Sequence, residues 1–353
     1  MMTNHHSSIR QAGFGLVEIM VALVIGLVTT LVIMQVMTNF EGQKRTTSGN
    51  ADAQTNGSIA LYTIQRQVQI AGYGLPVFSH QNQPLHCAPS PTVDHDGDAA
   101  TPNIGIFPIS IIDGGNAAGA SDQIIIHSGN SATGGIPATI SNVVGNDLSV
   151  ANNLGCQAND IAIVTNGTSC VMTKATAITG TTQITLANAT GVMTGATLGC
   201  MTGWHEMQYQ VSGNSLTENG VASVPGIVNI QAQYGISDAP NQNQVTAWVD
   251  ASGATWSAPT VDNRNRIKAI RIAVVARNGL LEKDNVSAPC SSLTADSPTG
   301  LCAWAGTTDN PAPAIDLSKN QDGTDNPNWR RYRYRVFETI VPLRTMIWSS
   351  DTL

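Results

Sequence analysis

Few residues in this chain have both the type and the setting to do chemistry, and the first is Glu18. It is the sole charged residue between Phe14 and Met37 in the run GFGLVEIMVALVIGLVTTLVIMQVMT, which starts at Gly13. A carboxylate about one turn inside an apolar helix costs about 2.5 to 3.5 kcal/mol on insertion scales, so it is rarely found there without a partner. Two readings stand side by side: the acid pairs with a group of opposite sign, or it lies close enough to the membrane interface to stay hydrated.

Cysteines form the second set. Cys87, Cys156, Cys170, Cys200, Cys290 and Cys302 all follow the apolar run, and no two form C-x-x-C. That spacing argues against zinc and thioredoxin-like chemistry, and an even number outside the membrane predicts disulfides in an oxidising compartment. The spacing favours Cys290 with Cys302 across a Pro, Ser and Gly-containing loop, and Cys156 with Cys170 around the apolar segment Asp160 to Thr165. Cys87 with Cys200 is left by elimination.

Other candidates are incomplete. Asp94-His95-Asp96-Gly97-Asp98 alternates acids as calcium loops do, but its glycine comes two places early and the twelfth position is Gly105 instead of Glu. It reads as a solvated acidic turn. His205-Glu206 lacks the second histidine of H-E-x-x-H, and His127 before Ser128 reads as an isolated structural residue at a strand end. G-x-S-x-G and a phosphate-binding glycine loop are both missing from the sequence. No catalytic residue, metal site or cofactor is therefore expected.

The elements that must position these residues begin with the apolar run itself. From Phe14 to Met37 it reaches ~36 Å as a helix, enough for a bilayer core. It is longer than the apolar region of a cleaved secretory signal and has no A-x-A exit, which predicts that the helix is retained. Beyond it Gly42, Gly49 and Gly57 weaken the pattern. Leu61, Ile64, Val68 and Ala71 restore a one-faced helical spacing, and Gly72, Gly74 and Pro76 end it. One long helix over about Phe14 to Ala71 is expected.

After an irregular stretch from Pro76 to Pro102, short segments rich in Ile, Val and Thr alternate with turns. Strands are predicted at Ile104 to Ile112, Gln123 to His127, Asp160 to Thr165, Cys170 to Thr176, Gln183 to Ala187 and Met207 to Ser212. Gly226 to Ser237 is another strong segment. In RIKAIRIAVVAR, Arg266 to Arg277, one face holds Ile270, Ile272, Val274 and Ala276, and the other Ile267, Ala269, Ala273 and Val275. Apolar residues on both faces predict a central strand, with the long helix covering one side. In Trp329 to Trp348, strand alternation puts Arg331, Arg333 and Arg335 opposite Tyr332, Tyr334 and Val336.

Charge excludes some classes. The net charge is -7, charged residues are 12% of the chain, and basic residues are scattered until that late segment. Nucleic acid is therefore not an expected partner. About 300 residues outside the membrane are enough for a large core.

The combination Gly13-Phe14-Gly15-Leu16-Val17-Glu18 resembles the type IV prepilin signature. With GFGLVE, the strand pair around Cys156 and Cys170, then QAQYGI, RIAVVAR and RYRVFETIVPLRTMIW in order, the chain is similar to the PilW family of type IV minor pilins. One departure is the apolar helix, which has no proline and offers only Gly15 and Gly26. The resemblance implies cleavage after Gly13 by a prepilin peptidase and N-methylation of Phe14. The new amine on a neighbouring copy would lie at the depth of Glu18 and make that acid a subunit-docking group.

It also implies a pilin-like α+β fold: leader 1–13, membrane part 14–38 and periplasmic part 39–75 of the helix, and a β-rich head over 76–353. The implied role is initiation or tip assembly of a pilus with other minor and major pilins. The chain would sit in the inner membrane with its head in the periplasm before assembly, and at the cell surface afterwards. A type II secretion pseudopilin and a tip adhesin binding a surface ligand are the alternatives.

Overall fold

The computed structural model describes residues 13, 15–74, 92–93, 104–105, 107–129, 137–167, 170–201, 203–292, 298–306, 312–313 and 315–348. Phe14, Cys87, the acidic run Asp94 to Asp98 and nearly all of the leader lie outside them. The chain divides into two compact units, one up to Ala51 and one from Asp52 onward.

Helix α1, Leu16–Gln69, supplies the first unit and opens the second. It runs unbroken through Gly42, Gly49 and Gly57. In the second unit its Ala53, Ala60, Ile64 and Val68, with Ala71 just past its end, are at most 2% exposed and form one stripe of the main core. Gly57 proves to be a close-approach site, since an added Cβ would overlap the Phe337 ring. After the helix, Gly72 takes φ +79° and donates its N–H to the His127 carbonyl at 2.8 Å.

The strands follow in order. They are β1 (Thr92–Val93), β2 (Ile104–Gly105), β3 (Ile109–Ile112), β4 (Gln123–Ser128), β5 (Ala138–Val144), β6 (Asp147–Val150), β7 (Ile161–Thr165) and β8 (Cys170–Thr179). Next come β9 (Gln183–Leu186), β10 (Thr197–Met201), β11 (His205–Ser212), β12 (Ser215–Glu218), β13 (Val221–Pro225) and β14 (Ile227–Ile236). The last part contains β15 (Ala247–Val249), the short helices α2 (Gly253–Trp256) and α3 (Val261–Arg266), β16 (Ile267–Arg277), β17 (Tyr334–Pro342) and α4 (Arg344–Trp348). Every ladder between these strands is antiparallel. The fold is the expected long apolar helix with a large antiparallel β-rich head.

Three assemblies make up that head besides the β1–β2 ribbon. A five-stranded sheet has the order β13-β12-β11-β4-β3, and a four-stranded sheet the order β15-β14-β16-β17. Strands β5 to β10 close into a barrel in the order β10-β5-β6-β9-β8-β7. The barrel is an insertion, because β4 and β11 pair directly, Ser128 opposite His205, across everything between them. Its own core holds Ile140, Leu148, Ala162, Ile184 and Leu198.

Strand β16 is central, as its sequence predicts. Ile270, Ile272, Val274 and Ala276 face the core shared with α1. Ala273 and Val275 lie under Leu301, Trp304, Ile315, Leu317 and Trp329. Ile267 departs from its expected face: the register shifts between Gly235↔Ala269 and Ile236↔Ile267, and this bulge turns Ile267 into the helix-side core. Trp329 to Trp348 is also not one strand. Trp329–Arg331 forms a 3-10 turn, and the ladder begins only at Tyr334. There Arg331 Nε donates to the Glu282 carbonyl at 2.8 Å and Arg333 Nε to Glu282 Oε1 at 2.8 Å.

The cysteine pairing needs a correction. Cys156 bonds Cys200, not Cys170, with Cα atoms 5.1 Å apart, so Cys200 is not left for Cys87. Barrel closure is the cause: β10 pairs with β7, Cys200 opposite Ala162, which brings Cys200 beside the loop that leads into β7. Cys170 is disulfide-bonded elsewhere. Cys290 bonds Cys302 with Cα atoms 4.9 Å apart.

Candidate functional site

Glu18 sits in the first turn of α1, its backbone N–H donating to the Gly15 carbonyl at 2.9 Å. A carboxylate in that position is favoured by the helix dipole. Its side chain is exposed and forms no ion pair with the described residues. Around it the helix is apolar on all sides: from Leu16, 76% exposed, to Phe40, 67% exposed, no large apolar side chain is less than 46% exposed. Such a segment is long and apolar enough to cross a membrane.

The hydroxyls within this segment are already bonded. Thr29 donates to the Ile25 carbonyl at 2.6 Å, Thr30 to Leu27 at 2.8 Å and Thr38 to Gln35 at 2.9 Å. Back-bonding of this kind removes the cost of burying an unpaired hydroxyl in lipid or against another apolar helix. Glu18 is then the one charged group in the segment, and its polarity calls for something outside it. Gly13 has open space around it, with nothing within 4 Å of an added Cβ.

Two residues that look unconnected in the sequence meet in the head. His127 on β4 lies opposite Glu206 on β11, and its Nε2 is 3.0 Å from Glu206 Oε2. His127 Nδ1 is 2.7 Å from the Phe107 carbonyl, and the ring stacks on Trp204 at 4.9 Å between centroids. Both histidine nitrogens are occupied and the side chain is 2% exposed, so the cluster is a clasp at the neck of the inserted barrel. Only the β4–β11 register reveals it.

A buried acid, Asp122, joins the two open sheets. Asp122 accepts from Gly114 N at 2.9 Å and Ala232 N at 2.7 Å. Burial outweighs these two donors and pushes its pKa up to about 7. Arg271 is held between Trp304, 4.0 Å from its ring centroid, and Trp248 at 5.0 Å, with Gln233 Oε1 accepting from the guanidinium. Burial lowers the Arg271 pKa to about 10. This stack ties the disulfide-closed segment Cys290 to Cys302 onto β16 through the nearby Trp304.

Among the described residues no group of three or more His, Cys, Asp or Glu could hold a metal ion. The features together define a class: a β-rich head built for packing, and an N-terminal helix segment whose apolar surface is left uncovered by the described residues.

Residues 200–345 match the family described as type IV pilus-assembly protein W, PilW. QAQYGI, RIAVVAR and most of the RYRVFETIVPLRTMIW segment lie inside the match, so the resemblance to a pilus-assembly family holds over that part of the chain. GFGLVE and the strands around Cys156 and Cys170 lie outside it. A type IV-like pilin from Thermus thermophilus is a structural neighbour at 11% identity, covering 83% of this chain and 96% of that one, with a TM-score of 0.32. That score is too low to carry an argument. No curated protein matches the sequence.

Proposed function

We propose that this chain is a minor pilin of a type IV pilus, cut after Gly13 by a prepilin peptidase and taking part in the complex that initiates or caps the filament. The observation that carries the reading is the exposed apolar segment of α1 with Glu18 as its lone charge, on a chain whose C-terminal part is PilW-like. Before assembly lipid covers that segment, and after assembly the helices of other pilins do. The amine freed at Phe14 supplies Glu18 with an opposite charge at the same depth, which relieves the cost of an unpaired acid. The chain is then a single-pass inner-membrane protein first and a pilus component later.

Intact mass of membrane-extracted protein from cells with an active prepilin peptidase tests the processing. The expected species begins at N-methylated Phe14. A chain that keeps residues 1–13 in such cells overturns it. Quantitative mass spectrometry of sheared filaments tests the minor role, with copy number far below that of the major subunit expected.

A further inference from the structure

We infer that the head carries a binding site for a hydroxyl-rich, uncharged sugar, in a cleft where the β11–β12 turn meets the open ends of β14, β16 and β17. This goes beyond the pilin reading and does not depend on it. The cleft measures about 420 Å³ and is lined by Gln210, Asn214, Arg277, Gln321, Asp322 and Tyr334 among others. That volume falls in the ~300–1,000 Å³ range of small-molecule sites.

Its walls are fixed in place by backbone. Gly226 donates its N–H to the Asn214 carbonyl at 2.8 Å and accepts from Arg277 N at 2.8 Å, so one residue locks the turn to the end of β16. It can do so only as glycine: φ is +78°, and an added Cβ would lie 2.8 Å from the Arg277 carbonyl oxygen. The opposite wall is held by Asn326, whose N–H donates to the Ser318 carbonyl at 2.7 Å and whose amide donates to the Leu317 carbonyl at 3.1 Å. A site held this way loses little freedom when a ligand enters.

The ligand chemistry follows from what these groups have left to give. The side chains of Gln210 and Asn214 make no hydrogen bond with any described residue. Arg277 lies 4.2 Å over the Tyr332 ring and is in no ion pair among the described residues. Tyr334 contributes its ring edge to the wall, its hydroxyl being buried against Arg277 and out of a ligand's reach. Gln321 donates to the Val228 carbonyl at 3.4 Å, which leaves its carbonyl oxygen to accept. Carboxamides and a guanidinium are planar groups able to engage two adjacent hydroxyls at once.

Charge selects against ionic ligands. Arg277 faces a cleft that also holds Asp322, whose carboxylate is anchored by Thr324 N at 2.9 Å and Thr324 Oγ1 at 2.5 Å. The other lining cation, Lys319, stands 3.8 Å from Asp325. An anion meets Asp322 and a cation meets Arg277, whereas a neutral polyol meets donors and acceptors of both kinds. A peptide would need apolar anchor pockets, and the aliphatic side chains of this lining are only Val211, Val228 and Leu317, each largely buried in the head's own packing.

Saturation-transfer NMR on the full chain tests this, in a zwitterionic detergent so that no sugar headgroup competes. The probes are galactose, N-acetylglucosamine and maltose as neutral sugars, with glucuronate as the charged control. At least one neutral sugar should give saturable transfer, with glucuronate at least about tenfold weaker. Asn214→Gly keeps the left-handed backbone of the turn, φ 59°, and removes only the amide. It should weaken binding about tenfold with the fold unchanged. Arg277→Lys keeps the charge but not the planar fork, and should weaken it similarly. Absence of transfer from all three neutral sugars, glucuronate binding preferred, or binding untouched by both variants would each overturn the site.

Discussion

The four-stranded sheet and the inserted barrel are both all-antiparallel and both lie next to a disulfide, yet they are built on different logic. Strands β14 and β16 are 10 and 11 residues long, and all but two of their residues are buried. They are covered on one face by α1 and on the other by the segment around Cys290 to Cys302. Barrel strands β6 and β9 have four residues each and alternate buried with more exposed positions. They bury one face by closing on one another. The sheet needs distant parts of the chain to cover it, while the barrel supplies its own core. A defect in the first should spread through the head, and a defect in the second should stay where it is.

Paired substitutions give the largest test of that contrast. Val274 and Ile184 are at most 1% exposed, one in each core. A buried unpaired charge costs more than about 4 kcal/mol, enough to unfold a marginal domain. Val274→Asp should abolish protection from hydrogen exchange throughout the head, whereas Ile184→Asp should abolish it only in β5 to β10. Equal spread from both would erase the distinction.

Disulfides come next. Cys156–Cys200 closes a separation of 44 residues and Cys290–Cys302 one of 12. Chain entropy assigns them about 4 and about 3 kcal/mol. Replacing both cysteines of the first pair with serine should lower the melting of the barrel alone. Replacing those of the second should loosen Trp304 from Arg271 and lower the melting of the sheet. Differential scanning calorimetry with exchange mapping separates the two results.

A smaller effect sharpens the view of the sheet junction. The Asp122 pKa of about 7 lies above its ordinary 3.8, so between those values the folded state binds more protons than the unfolded chain. Stability should therefore fall as pH rises from about 4 to 7. Asp122→Asn should flatten that slope. It should also cost about 1 to 3 kcal/mol, because Gly114 and Ala232 donate to different carboxyl oxygens and the amide nitrogen that replaces one of them cannot accept. Urea melts across the pH range measure both, and an unchanged slope would count against the burial of this acid.

The smallest effect should come from the largest deletion. Ser128 and His205 are ladder partners, so a short turn in place of residues 130–202, with Cys87→Ser to leave no odd thiol, should keep Trp204 against His127 and both open sheets folded. Shortening a connection changes closure entropy by only about 0.6 kcal/mol per halving. A head that fails to fold without the insert would show that the barrel is part of the core.

Signals that depend on neighbours along the chain are legible in the sequence itself. The run from Phe14 to Met37 announces a helix because nearly every residue is apolar. Strand β16 announces a central position because both of its faces are apolar. Asn219-Gly220, with φ 50° and 79°, turns β12 into β13, and Gly213-Asn214 turns β11 into β12; β12 and β13 are both absent from the predicted strands. Strands β6 and β10, with four and five residues, are too short to show a clear alternation, and Ser141-Asn142 interrupts the apolar pattern of β5.

What tertiary structure alone decided concerns pairs far apart in sequence. Closure of β10 on β7 chose Cys200 for Cys156. The β4–β11 register turned an isolated histidine and an incomplete metal motif into one clasp, and the bulge at Lys268 moved Ile267 to the other face. Local propensity carries no information about which strand will lie beside which, because that choice is made by the total burial the closed arrangement achieves. Glu18 is the reverse case: residue type and apolar surroundings already state that it needs a partner, and the described residues of this one chain supply none.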